Sequence, residues 1–84
     1  MTNPYNPITE NEYLGGNSIF LKAISEKYES PLFAGYQQWK VIGRSVKKGE
    51  KGYKILIVFK KDDEKKVTNR TVFNYKQTES ITTE

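Results

Sequence analysis

Between Ser18 and Tyr28 the apolar residues Ile19, Phe20, Ala23, Ile24 and Tyr28 recur three to four positions apart, with Lys22, Ser25, Glu26 and Glu29 mostly on the other side. That period predicts an amphipathic helix with one buried face. Gly15-Gly16-Asn17-Ser18 precedes it, and Asn17 or Ser18 supplies a side-chain oxygen for the first free amides. Pro31 stops the pattern, and Leu32-Phe33-Ala34 leads into a second, short helix up to Ile42, which Gly43 closes in a left-handed conformation. Tyr53 to Phe59 is rich in β-branched and aromatic residues and reads as a central strand covered on both faces. After a charged tip from Lys60 to Lys66, Val67 to Tyr75 resumes a strand pattern and closes a hairpin. Pro4 and Pro7 disfavour helix in residues 1–15, which read as an extended arm, and the polar residues 79–84 read as a fraying tail. The fold expected is α+β: one domain over residues 16–78, two helices packed on a small, mainly antiparallel sheet with a C-terminal hairpin, and no internal repeat.

Composition narrows the function. The 84 residues suffice for one domain with a thin core. Cysteine and histidine are both absent, which removes disulfides, the usual transition-metal ligands and the commonest general base at neutral pH. The expectation is a non-enzymatic protein without cofactor or metal. Asp62-Asp63-Glu64 lies in a tip flanked by lysines and reads as a solvated turn rather than a cation site. No apolar run approaches membrane-spanning length and the first ten residues are unlike a signal peptide, so a cytoplasmic protein is expected.

Charge changes the picture more. The net charge is +4, but Lys40 to Lys61 holds eight basic residues against the single acid Glu50, which makes that segment +7 and the remainder −3. Such an asymmetry favours an anionic partner. Arg44, Lys47, Lys48, Lys51 and Lys54 surround a turn with glycines at 49 and 52, and Tyr36, Trp39 and Tyr53 stand close by in sequence. Phosphates call for cations and unpaired bases for flat π-faces, so this combination suits a single strand. The plainer alternative is a solvated lysine-rich loop. Lys47-Lys48-Gly49-Glu50-Lys51-Gly52 lacks the spacing of a nucleotide-hydrolysing phosphate loop. Glu50 is expected to pair with a neighbouring lysine and hold the turn. Phe20, Phe59 and Phe73 are expected in the core, whereas Trp39 fits either core or an exposed stacking face.

Four stretches together resemble the amino-terminal single-stranded-DNA-binding domain of ArdC-type antirestriction proteins and some plasmid conjugative primases. They are Asn6-Pro7-Ile8-Thr9 with Tyr13-Leu14-Gly15-Gly16-Asn17, Ser30-Pro31 leading into Gln38, Gly43 through Gly52, and Phe73-Asn74-Tyr75-Lys76-Gln77-Thr78-Glu79. The third looks like a Gly-x-x-Val-x-Lys-Gly-Glu-x-Gly signature and the last like a closing Phe-Asn-x-x-Gln-Thr-Glu. Leu14 replaces a frequent arginine, Phe33 a usual tryptophan, and Trp39 a small residue. The resemblance implies sequence-tolerant binding of single strands in the setting of a plasmid, phage or cassette. A replication protein of the same element is a further expected partner.

The expected site is a groove between the Gly15–Asn17 and Lys47–Gly52 turns. Arg44, Lys47, Lys48, Lys51 and Lys54 neutralise phosphates, Asn17 and Gln38 donate hydrogen bonds, and Tyr13, Trp39 and Tyr53 offer stacking surfaces. RNA fits the same description. The rival from another class is an inhibitor module that contacts a host nuclease or replication partner through the hairpin.

Overall fold

The first helix, α1, spans Gly15–Tyr28 and so begins three residues before the expected start. Leu14 takes the N-cap position without a side-chain cap, since leucine has no acceptor, and Asn17, already inside the helix, bonds Leu56 instead. Glu29 ends the helix at φ 56°, and the amides of Glu29 and Ser30 return to Glu26 and Ser25. The buried stripe is Leu21, Ile24, Ser25 and Tyr28, rather than the expected stripe containing Ile19, Phe20 and Ala23. Ile19 is 77% exposed and Phe20 45% exposed, so apolar spacing alone selected the wrong edge of the face.

The structure, a computed structural model, describes residues 3–81. After α1 the chain forms strand β1 (Phe33–Ala34), helix α2 (Tyr36–Val41), strands β2 (Arg44–Val46), β3 (Tyr53–Lys61) and β4 (Glu64–Asn74), a 3-10 turn (Tyr75–Gln77) and strand β5 (Thr78–Ser80). Gly43 follows α2 at φ 79°, as expected of its closing residue. Two small antiparallel sheets result, one ordered β1-β4-β3 and the other pairing β2 with β5. The architecture is α+β, two helices on a mainly antiparallel framework.

β3 and β4 form a long hairpin, whose two-residue turn Asp62-Asp63 has φ 54° and 64°, the left-handed backbone that such turns need. β4 is the central strand and β3 an edge strand, contrary to the expectation for Tyr53–Phe59. Its apolar continuity reflects something other than double burial: Leu56 and Val58 are more than half exposed, and Phe59 is 42% exposed. Only the base of the hairpin is covered. There Leu21, Phe33, Ile55 and Val72 form the core, flanked by Tyr13, Ile24, Tyr53 and Ile57.

The amino-terminal segment is laid against the domain. Tyr5 bridges both Glu12 and Leu32, and the buried Asn6 accepts from the amides of Ile8 and Thr9 through Oδ1. At the other end Glu79 and Ser80 pair with Ser45 and Arg44, so the expected tail starts as a strand; its residues 82–84 lie outside the described residues.

Candidate nucleic-acid interface

The basic turn is built on one β-turn. The Glu50 amide donates to the Lys47 carbonyl at 3.2 Å, and Gly49 sits at the third position with φ 86°. That conformation favours glycine in a type II turn. Gly52 serves a different purpose: its φ is not positive, but a Cβ there would collide with Thr71 Cγ2 and come within 2.9 Å of the Phe73 ring. The missing side chain lets the turn lie directly on β4.

Gln77 holds this turn from the far side. It is 1% exposed; its Nε2 donates to Glu50 Oε1 at 3.1 Å and to the Lys51 carbonyl at 2.8 Å. Its Oε1 accepts from the Asn74 amide at 2.8 Å, and its carbonyl accepts from the Lys47 amide at 2.9 Å. Glu50 therefore holds the turn through the Gln77 amide and not through a lysine; among the described residues the ion pair formed is Lys66–Glu64. Asn74, equally buried, donates to the Ser30 carbonyl and accepts from the Lys76 amide. Gln77 anchors the turn directly and Asn74 holds Gln77 through its backbone amide; the sequence signal of both is the closing Phe-Asn-x-x-Gln-Thr-Glu pattern, whose structural reason only the contacts reveal.

On this scaffold Lys47, Lys48 and Lys51 are exposed, with the Lys47 ammonium 3.3 Å from the Lys76 carbonyl. Arg44 is directed inward. Its Nε and Nη2 donate to Thr78 Oγ1 and the Thr78 carbonyl at 2.7 and 3.0 Å, and its guanidinium lies 4.2 Å from the Tyr75 ring centre. It ties β2 to β5.

The expected stacking residues fare differently. Trp39 is 0% exposed, donates its indole N–H to the Phe73 carbonyl at 2.9 Å and packs against Tyr75. Its expected stacking role is corrected by that burial, since no ring face reaches solvent. Tyr53 is half-buried between the Phe20 and Tyr28 rings, with its hydroxyl 3.0 Å from that of Tyr28. Tyr13 donates its hydroxyl to the Phe33 carbonyl, and burial pushes its pKa up against the opposing influences of Asn6 and Arg70. The aromatic rings most open to solvent belong to Phe20, Tyr36 and Phe59, so Phe20 and Phe59 are corrected from core to surface; Phe73 is half-buried.

Asn17 and Lys54 share a groove of about 490 Å3 between the start of α1 and β3, with Leu14, Phe20, Leu56 and Val58 as its apolar walls; no residue of the Lys47–Gly52 turn lines it, so it is not the expected groove between the two turns. Asn17 already uses both amide atoms: Nδ2 donates to the Leu56 carbonyl and Oδ1 accepts from the Leu56 amide. Tyr13 and Gln38 line a separate hollow of about 220 Å3 with Asn6 and Arg70. Gln38 Oε1 accepts from Asn6 Nδ2 and the Gly35 amide. The ten expected residues are thus distributed over the turn, the groove, the hollow and the interior.

Residues 1–83 match the family described as the N-terminal domain of anti-restriction factor ArdC. The chain belongs to that family. Among solved structures it is similar to the antirestriction ArdC protein from plasmid R388 in its Mn(II)-bound form, at 27% identity and a TM-score of 0.78, over 95% of this chain and 35% of that one. The metal-free form of the same protein aligns at 24% identity and a TM-score of 0.74, over 95% of this chain and 33% of that one. The chain therefore spans about a third of the solved ArdC chains it matches. A search of curated proteins finds no match. In this ArdC-family chain no group of three or more acidic side chains is placed to hold a metal ion among the described residues. No helix among them is long and apolar enough to cross a membrane.

Proposed function

We propose that this chain is a sequence-tolerant single-stranded-DNA-binding domain of a mobile genetic element, acting in the cytoplasm without catalysis in the replication, transfer or protection of single strands. The observation that supports it most is the Gln77 clamp, which holds the Lys47–Lys51 backbone while the lysine side chains stay in solvent. A fixed backbone presents cations at constant spacing, so phosphate contacts cost less ordering of the turn. Lys47, Lys48, Lys51 and Lys54 contact phosphates in this reading, and Arg44 braces the platform. Membership of an antirestriction family encoded by plasmids agrees with the setting.

The test is fluorescence anisotropy of a labelled mixed-sequence single strand, with the matching duplex and RNA as competitors. Neutralising three to five phosphates gives a slope of log K against log salt of about −2 to −4. The triple change Lys47→Glu, Lys48→Glu and Lys51→Glu abolishes binding and leaves the circular dichroism unchanged; normal binding by that variant removes the turn from the site. The second reading, a module that captures a host nuclease, is favoured by the anti-restriction description of the family. It predicts nuclease capture without nucleic acid and indifference to the lysine changes.

A further inference from the structure

The hairpin has two unlike faces. Cross-strand partners share a face, and alternate residues of one strand return to it. Tyr53, Ile55 and Ile57, opposite Val72, Arg70 and Thr68, make the face that lies over the core. The other face pairs Lys54 with Thr71, Leu56 with Asn69, Val58 with Val67 and Lys60 with Lys65. It contains no carboxylate in these paired rows, and all eight side chains are exposed. Val58 and Val67, 62% and 63% exposed, form a bare aliphatic centre with Leu56 beside it and lysines at both ends. The ion pair Lys66–Glu64 belongs to the opposite face, so it leaves these cations unneutralised.

This face runs into the basic turn. Gly52 sits against Thr71 and Phe73, and the Phe73 and exposed Tyr36 rings pack in a T-shape with centroids 6.2 Å apart, with the Lys40 ammonium 4.8 Å from the Tyr36 ring centre. Cations, an aromatic ring, amide and hydroxyl groups and an aliphatic strip therefore follow one another along a single surface. A folded-protein partner would match the aliphatic strip but not the lysines at both ends, whereas a single strand carries apolar base faces and anionic phosphates together.

We infer that this solvent face of the hairpin is a track for unpaired bases, continuing the single-strand site beyond the turn. The inference rests on the proposed function. Bases lie on Leu56, Val58 and Val67, while Lys54, Lys60 and Lys65 meet the phosphates between them. With about 3.3 Å per residue, the stretch from Lys54 to Lys60 adds roughly 20 Å to the path, so affinity depends on strand length.

The experiment compares three proteins on probes of about 6 and about 16 nucleotides, near the two ends of the usual range of single-strand site sizes: the natural chain, a face variant (Leu56→Thr, Val58→Thr, Val67→Thr) and a lysine variant (Lys60→Gln, Lys65→Gln). Threonine keeps strand preference, and an unchanged thermal midpoint confirms folding. On the long strand the face variant binds about ten-fold more weakly, on the scale of one lost base contact, and on an abasic strand of equal length it matches the natural chain. The lysine variant has a salt slope shallower by about 1.4 on the long strand and unchanged on the short one. Natural affinity of both variants for the long strand, while turn changes abolish binding, overturns the track and leaves the proposed function standing. Failure of the natural chain to bind any strand overturns both. A natural chain that sediments as a dimer, and a face variant that sediments as a monomer with natural strand affinity, assign the face to self-association instead.

Discussion

The side-chain amide of Asn17 pairs with both backbone polar groups of Leu56, donating to its carbonyl at 2.6 Å and accepting from its amide at 3.2 Å. In effect the start of α1 supplies one residue of a missing neighbouring strand. Edge strands with open backbone groups invite pairing with other chains, and this amide occupies the edge of β3 where it leaves the core.

Replacing Asn17 by alanine removes both bonds from a partly exposed site. Stability should fall by about 1–2 kcal/mol in urea unfolding. Sedimentation should also show stronger concentration-dependent association than the natural chain shows at the same concentration. An unchanged unfolding curve and no association would show that the pairing contributes nothing.

Gln77→Ala leaves the buried Asn74 amide, the Lys51 carbonyl and Glu50 without their partner. The expected loss is about 2–4 kcal/mol, since unsatisfied buried groups are expensive. Hydrogen exchange should localise part of the effect, with the amides of residues 47–51 exchanging faster relative to those of β3. Equal acceleration throughout would mean that Gln77 stabilises the fold without specifically holding the turn.

Trp39 is the single tryptophan, and its complete burial makes a spectroscopic prediction. Its emission should be blue-shifted, poorly quenched by iodide, and nearly unaltered when a single strand is added. Strong quenching by the strand would place the indole in the binding surface after all. Trp39→Phe, which deprives the Phe73 carbonyl of its donor, should cost roughly 2–3 kcal/mol.

The Tyr28 and Tyr53 hydroxyls give the fold an alkaline limit. The hydrogen bond that the Tyr28 hydroxyl shares with Tyr53, followed by partial burial, pushes the Tyr28 pKa up to about 12 from 10.0. Its folded pKa is raised, so this contribution is fully present below pH 10 and is lost as pH rises towards 12. Half-buried Tyr13, its pKa also raised, acts in the same direction. Thermal midpoints should fall across that window, and Tyr28→Phe should fall less steeply; parallel curves would remove Tyr28 from the effect.

Most elements are legible in the sequence because local chemistry determines them. Pro31 and Gly43 bound the helices, and the charged tip marks the hairpin turn. The exposed β-branched run of β3 reads as a central strand because strand preference and burial share the same residues. Phe20 and Phe59 likewise read as core residues, and only the short reach of the core leaves them outside.

The candidate site divides in the same way. Glycine and lysine spacing was enough to indicate an exposed cationic turn, since φ 86° at Gly49 and the solvation of lysines are local demands. Contacts between residues far apart in the chain decided everything else: Gln77 against Glu50, Asn17 against Leu56, Arg44 against Thr78, and Trp39 beneath Phe73. A polar side chain has the same composition whether it faces solvent or closes a buried hydrogen bond, and only the tertiary structure supplies the partner that separates the two.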